Sequence, residues 1–224
     1  MLNSIKNGLI VSCQALEDEP LHGSMIMAKM ALAAKCGGAI GLRANSVKDI
    51  KAIQSEVDLP IIGLIKQNYQ DSDIYITPTK QEVDSLLDTN IEMIAIDATH
   101  RKRPNEERLE DLIQYIRNNN CLVMGDISTY EEGINAIQKG VDCISTTLSG
   151  YTNYSNVKST GPNFDLLKNL VEYGHVPVIC EGKVNTPGEA TEAIKLGAHA
   201  VVVGSAITRP QLITQKFNNA LTKK

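Results

Sequence analysis

The sequence predicts an α/β fold, a single (β/α)8 TIM barrel of the phosphate-binding type that occupies residues 1–224 as one domain. Three observations predict it. Eight short apolar runs rich in β-branched residues recur along the chain, amphipathic helical patterns lie between them, and strand-to-helix joints are often long where helix-to-strand joints are short. A chain of 224 residues also suits such a barrel as one unit.

The strand candidates, in order, are GLIVSCQ (8–14), GAIGLR (38–43), PIIGLIK (60–66), EMIAID (92–97), CLVMGD (121–126), DCISTT (142–147), PVICEG (177–182) and AVVVG (200–204). Most are apolar on both faces, as parallel strands covered on both sides must be. Between them, Val47, Ile50, Ile53 and Val57 share one helical face. Val83, Leu86 and Leu87 form a second, Leu109, Leu112, Ile113 and Ile116 a third, and Leu166, Leu167, Leu170 and Val171 a fourth. The tail QLITQKFNNALTKK groups Leu212, Ile213, Phe217 and Leu221 on a helix expected either to close its own barrel or to pack on a partner. A weak repeat, KCGGAI, QKGVDC and KLGAHA, joins helix ends to strand starts. Its glycines Gly37, Gly140 and Gly197 are expected in the left-handed conformation that terminates helices. A doubly wound open sheet is the alternative, but SCQALEDEP after the first strand lacks the GxGxxG of a dinucleotide site.

Composition narrows the function classes. Apolar residues make up 42% and charged residues 21% of the chain, and the net charge of −4 offers no basic field for nucleic acid or membrane. No run approaches the ~20 apolar residues of a membrane span, and the first residues lack an apolar leader, so a cytoplasmic protein is expected. Four of the five cysteines, Cys13, Cys121, Cys143 and Cys180, lie in or beside strand-like runs without a CxxC, which reads as buried free thiols. With no Trp and two Phe, the core must be aliphatic.

The long joints are LEDEPLHG after strand 1, QNYQDSDIYITPT after strand 3 and LSGYTNYSNVKSTGP after strand 6, with DIYITPT a candidate brief extra strand or turn. They fall at the carboxyl ends of strands, where barrel active sites are built. The strands themselves finish on Gln14, Arg43, Lys66, Asp97, Asp126, Thr147 and Glu181. Alternation puts Lys66 on the face of Ile62 and Leu64, and Glu181 on that of Ile179. If those faces point inward, Lys66, Glu181 and Arg43 converge above an aliphatic plug. An inward lysine could be a general acid/base, a Schiff-base nucleophile or a phosphate counterion. Burial and Arg43 would lower its pKa, and Glu181 would raise it.

Anion recognition is expected at the turns after strands 7 and 8. Gly182 permits close backbone approach, and Thr186, Pro187 and Glu189 read as N-cap, N1 and N3 of a helix with a capping box. Gly204, Ser205 and Ala206 could offer free amides, and Arg209 could reach the same anion. Metal ligation is not expected. His22, His100, His175 and His199 are scattered, the last two at the opposite end of the barrel, and no HxH or HExxH occurs. A cation gathered by Asp97, Asp126 and Glu181 is the lesser alternative.

Taken together, LIVSCQALEDEPLH, GLRA, IIGLIK, IAIDAT, GDIST, STTLSGYT, VICEG and VVVGSAITRP resemble the N-acetylmannosamine-6-phosphate 2-epimerases (N-acylglucosamine-6-phosphate 2-epimerases) of bacterial sialic acid catabolism, over nearly the whole chain and in order. The resemblance implies an isomerase of carbohydrate metabolism that interconverts N-acetyl-D-mannosamine 6-phosphate and N-acetyl-D-glucosamine 6-phosphate. It implies a homodimer with no metal and no organic cofactor. It also implies that Lys66 is the proton-transfer lysine, Glu181 its catalytic partner, and Gln14, Arg43, Asp126 and Arg209 substrate contacts. Gly125 and Ser205 depart from the pattern, where alanine and a second glycine are common; Ser205 bears on the geometry of the phosphate loop. The rival readings are a Schiff-base lyase or aldolase acting on a phosphosugar through Lys66, and a non-catalytic phosphosugar-binding barrel. Tyr151 and Tyr154 are candidates for a cover over the site, with at least one of them expected to be a plain surface residue.

Overall fold

The structure, a computed structural model, describes residues 1–155 and 160–222. Among them, eight parallel strands close into a barrel in sequence order: β1 (Leu9–Cys13), β2 (Gly41–Asn45), β3 (Ile61–Leu64), β4 (Met93–Asp97), β5 (Leu122–Asp126), β6 (Cys143–Ser145), β7 (Val178–Cys180) and β8 (Ala200–Val203). β8 pairs back onto β1, with Ile10 opposite Val202. The short helix α1 (Leu2–Ile5) precedes the barrel. The wall helices are α2 (Ser24–Cys36), α3 (Val47–Glu56), α4 (Lys80–Leu87), α5 (Leu109–Asn118), α6 (Tyr130–Gln138), α7 (Phe164–Tyr173) and α8 (Pro187–Lys195). After β8 come a single turn, α9 (Ser205–Thr208), and the terminal helix α10 (Pro210–Thr222).

Strand alternation divides the apolar residues into two cores. Ile10, Ile62, Leu64, Met93, Met124, Cys143, Ile179, Ala200 and Val202 fill the barrel, with Ile5 of α1 among them. The intervening residues, Val11, Cys13, Leu42, Ile61, Ile94, Ile96, Val123, Ile144 and Val201, face the helices. The helices meet them with the expected faces: Ile50 and Ile53, Val83 and Leu86, Leu109, Leu112, Ile113 and Ile116, and Leu166, Leu167 and Leu170 are all buried. The inner set is a solid aliphatic plug that supports whatever lies above it. All five cysteines are free thiols, and Cys13, Cys121, Cys143 and Cys180 are buried while Cys36 is exposed.

Two expectations are corrected and one open alternative is narrowed. The second strand runs over Gly41–Asn45 rather than 38–43, because residues 37–39 finish the preceding helix: Gly37, Gly38 and Ala39 amides all bond back to α2 carbonyls. Arg43 is therefore a mid-strand residue, with Asn45 one inward step above it. In the same joint the left-handed residue is Gly38 (φ +96°), and Gly37 stays right-handed (φ −78°), whereas Gly140 and Gly197 are left-handed as expected. The tail helix forms, but none of its residues is buried, so it does not seal its own barrel. The end of that tail, residues 223–224, and residues 156–159 of the loop after β6 lie outside the described residues.

Candidate active site

Above the plug, the inward positions turn polar. Arg43 on β2, Asp126 at the end of β5, Thr147 two residues past β6 and Glu181 one past β7 form a closed network. Arg43 is fully buried and forks onto Asp126: Nη1 donates to Oδ1 at 3.1 Å, and Nη2 pairs with Oδ2. Nη1 also donates to Glu181 Oε2 at 2.5 Å, while the Thr147 hydroxyl donates to Asp126 Oδ1 at 2.8 Å and Glu181 Oε2 at 3.0 Å. Two carboxylates thus share one guanidinium. The pairing is bidentate and desolvated, the geometry in which such contacts hold groups most rigidly. All three of these contacts to the Glu181 carboxylate, from Arg43, Ser145 and Thr147, fall on Oε2.

Burial sets the charge states. The Glu181 carboxyl is raised above the ordinary glutamate range by desolvation and by Asp126, against the pull of Arg43. Arg43 remains firmly protonated; desolvation opposes its charge, but Asp126 and Glu181 more than offset that cost. Across the barrel, Lys66 lies two residues beyond β3, its amide donating to Asn45 Oδ1 at 2.8 Å. Among the described residues its amine makes no hydrogen bond or ion pair. Its pKa is lowered from 10.5 to about 8, by burial first and then by Arg43 and Arg209, with Glu181 and Glu19 opposing. β3 and β7 stand four strands apart in a closed ring of eight, so Lys66 and Glu181 face one another across the barrel mouth.

Both line a cavity of about 540 Å³ that opens at the carboxyl end of the barrel. Gln14 and Arg43 share its floor. Each brings a buried polar atom with no hydrogen-bond partner among the described residues, Gln14 Oε1 and Arg43 Nε. On one side the wall is formed by Gly182, Gly204, Ser205 and Arg209, together with Lys183 and Lys216. Gly182 has φ +97°, and a Cβ there would stand 3.2 Å from Thr147 O, so the turn needs glycine on both counts. The capping box of Thr186 and Glu189 with Pro187 at N1 forms as expected. In the second turn, Ile207 and Thr208 amides close on Gly204 O at 2.8 and 2.9 Å, leaving the amides of Ser205 and Ala206 at the open end. Arg209 donates to Ser205 Oγ at 3.0 Å and forms an ion pair with Glu19, Nε to Oε1 at 2.6 Å.

The structure therefore brings together Lys66, Glu181, Gln14, Arg43, Asp126, Arg209, Gly182, Gly204 and Ser205 around one opening. Asp97 is elsewhere engaged: it is fully buried and accepts from Arg101 Nη2 at 2.5 Å and from Thr99. The three carboxylates considered for a cation are thus held by arginines, and among the described residues no group of three His, Cys, Asp or Glu is assembled to hold one. Tyr151 lines the cavity, whereas Tyr154 bonds Glu132 at 2.6 Å and is not part of the lining. Tyr75, Lys183 and Lys216 line the cavity and were not expected there, nor was Asn45 expected beneath Lys66, whose amide donates to it. Asn45 shares a strand face with Arg43, and Lys183 adjoins Gly182, so both were within reach of the alternation argument. Lys216 depends on the path of α10, which no local pattern encodes.

The chain is similar to known proteins over most of its length. Residues 27–223 match the model of the family described as "Putative N-acetylmannosamine-6-phosphate epimerase". A relative from Clostridioides difficile (strain 630), described as a "Putative N-acetylmannosamine-6-phosphate 2-epimerase", is 60% identical over 99% of each chain. One of the same description from Clostridium perfringens (strain 13 / Type A) is 58% identical over 99% of this chain and 100% of that one. The solved structure of the N-acetylmannosamine-6-phosphate 2-epimerase from Clostridium perfringens superposes with a TM-score of 0.96 at 58% identity, covering 98% of this chain and 96% of the other. A thiamine phosphate pyrophosphorylase from Pyrococcus furiosus, at 17% identity and a TM-score of 0.61, shares the fold alone. With a matching family model over most of its length and full-length relatives at this identity, the chain belongs to the N-acetylmannosamine-6-phosphate epimerase family.

Proposed function

We propose that this chain interconverts N-acetyl-D-mannosamine 6-phosphate and N-acetyl-D-glucosamine 6-phosphate by moving the C2 proton, with Lys66 and Glu181 as the proton carriers. The observation that carries the reading is the pair itself: an unpaired, half-buried amine with pKa about 8 facing a mostly buried carboxyl with raised pKa across one cavity. Removal of the C2 proton of the open-chain sugar, next to the C1 aldehyde, gives an enediolate. Lys66 is neutral often enough near physiological pH to take that proton. Inversion requires return of a proton to the opposite face, and Glu181 across the barrel mouth is the group suited to supply it. Arg43, whose buried Nε has no acceptor among the described residues, is a donor for the developing oxyanion or a neighbouring hydroxyl. Gln14 would contact the sugar, and Asp126 holds Arg43 in place.

The phosphate is assigned to the turns of Gly182 and of Gly204 and Ser205, with Arg209, Lys183 and Lys216 supplying positive charge. Anchoring the far end of the sugar turns binding energy into alignment of C2. We also propose that the chain works in the cytoplasm, in keeping with five free thiols, and as a homodimer that covers Leu212, Phe217 and Leu221 of α10. Among the described residues no helix is long and apolar enough to cross a membrane.

The test is incubation with N-acetylmannosamine 6-phosphate in deuterated water, following C2 by NMR. Wild type incorporates deuterium as the second epimer appears, and Lys66→Ala loses at least ~100-fold of that exchange. Near-normal exchange in Lys66→Ala would sink the mechanism. Borohydride trapping of a sugar adduct on Lys66 would instead favour the Schiff-base reading.

A further inference from the structure

The segment that runs beside Lys66 has a geometry the proton-transfer scheme does not require. Residues 65–67 pair with residues 75–77: Gln67 N donates to Tyr75 O at 3.0 Å and Thr77 N to Ile65 O at 2.7 Å, bridging Lys66 to Ile76. Tyr75 and Ile76 then form the cavity wall next to the amine. At the corner, Thr77 has φ +45°. A β-branched residue rarely adopts that left-handed conformation, and it persists only where the surroundings over-determine it. Here they do. Thr77 is fully buried, its hydroxyl donates to Ala95 O at 2.7 Å and accepts from Ile65 N at 3.3 Å.

A brace surrounds the corner. Asp97 N donates to Ile76 O at 3.1 Å. Buried Arg103 donates to Pro78 O at 3.0 Å and to Asp97 O. Arg101 pairs with the Asp97 carboxylate through Nη2 and donates from Nη1 to Asp73 O at 2.9 Å, tying the far end of the loop to β4. The buried carboxylate of Asp97, unused by the chemistry, thus serves the loop.

We propose that Thr77, braced by the Asp97–Arg101 pair, is a positioning residue for the reaction: it holds the Tyr75–Ile76 wall against the Lys66 amine and keeps that amine aimed and dry. The inference rests on the reading of Lys66 as a proton carrier. The charged groups that face Lys66 are Arg43 from β2, Arg209 after α9, Glu181 after β7 and Glu19 from the loop after β1. Among the described residues Thr77 hydrogen-bonds Ile65, Ala95 and Arg103 and none of these four side chains, so its replacement is expected to change the hydration of the amine and leave its charged neighbours in place. Water reaching the amine moves its pKa back toward 10.5.

Thr77→Val keeps the branched shape and removes the hydroxyl; Thr77→Ser keeps the hydroxyl. The Lys66 titration is read from the 13Cε signal of labelled lysine, assigned by its loss in Lys66→Met. In Thr77→Val the midpoint rises by about one pH unit, the acid limb of the kcat profile rises with it, and kcat near neutrality drops about tenfold with KM nearly unchanged. Thr77→Ser stays at the wild-type values. Arg101→Gln, which releases Asp73 and the Asp97 carboxylate but leaves the Thr77 hydrogen bonds in place, shifts the midpoint the same way by less and keeps the test alive if Thr77→Val folds poorly. A Lys66 midpoint and acid limb unmoved in Thr77→Val, or unmoved in Arg101→Gln where Thr77→Val does not fold, overturn the inference whatever happens to kcat. Failure of the underlying reading looks different: the wild-type acid limb would not follow the Lys66 midpoint, although the midpoint would still answer to Thr77.

Discussion

At the scale of the residue, the charged groups of the site act on stability in opposite directions. Lys66 lowers it. Below pH 8 its amine is charged in the folded and unfolded chains alike, so the native state bears the full cost of a poorly solvated cation. Between about 8 and 10.5 the folded chain has released the proton and the unfolded chain has not, and stability rises with pH. Lys66→Met is therefore expected to be inactive and more stable than wild type by about 2–3 kcal/mol at neutral pH, an advantage that shrinks toward zero near pH 10. Urea unfolding at several pH values checks both parts, and a constant difference across that range would refute the account. Arg43 has the opposite sign. Arg43→Met leaves Asp126 and Glu181 buried without their cation, at a cost of about 3–5 kcal/mol. That cost should ease as pH falls and the stranded Glu181 carboxyl takes up a proton, so the Tm deficit is smaller at pH 5 than at pH 8.

At the scale of the element, one device recurs at the carboxyl end of the barrel. Thr79–Glu82, Thr129–Glu132 and Thr186–Glu189 are capping boxes at the starts of α4, α6 and α8. In two of them the glutamate also takes a tyrosine from a neighbouring loop: Glu82 accepts from Tyr69 at 2.9 Å and Glu132 from Tyr154 at 2.6 Å. Glu132 is fully buried and also accepts from Ser128, Thr129 and His100 amides. Its loss strands several donors, while among the described residues Glu189 accepts from the Asn185 and Thr186 amides near solvent. Glu132→Ala should cost about 3 kcal/mol and Glu189→Ala about 1 kcal/mol by denaturant unfolding; equal costs would show that the buried hub adds nothing. Only the third box was expected from sequence, although TKQE and TYEE carry the same Thr-x-x-Glu signal. The strands were legible because buried parallel strands are written as continuous apolar runs. α2 was not, because Met, Ala and Lys lie all around SMIMAKMALAAKC with little segregation by face. The second strand slipped because GGAI reads equally well as strand or joint, and only the backbone bonds of Gly37 to Ala39 separate the two. Lys66 and Glu181 were legible because period-two alternation carries straight from the plug to the mouth. Lys216 and the Asp97–Arg101 brace were not, because they depend on where long connections go once they leave a strand.

At the scale of the whole molecule, the barrel divides the work between its inner layers and its rim, and α10 belongs to neither. The plug fixes where the strand ends stand, and the loops above them carry the chemistry. α10 lends Leu212 and Lys216 to the cavity wall, and Lys216 donates to Asn185 Oδ1 at 3.1 Å. Yet none of its residues is buried, and Phe217 and Leu221 are 71% and 86% exposed. Met25 and Ile26 at the start of α2 are also exposed. A helix that presents its large apolar side chains to water while forming part of a substrate wall is incompletely held by its own chain. In the proposed dimer a second copy covers those side chains and steadies the wall. Phe217→Glu with Leu221→Glu should therefore give a monomer by sedimentation at micromolar concentration. It should also raise KM for the sugar phosphate several-fold, because Lys216 loses its fixed place, while the pH profile set by Lys66 stays where it was. A wild type that sediments as a monomer, or a double variant that remains dimeric, would remove α10 from the interface. A monomeric variant with unchanged KM would show that the cavity wall stands without the partner.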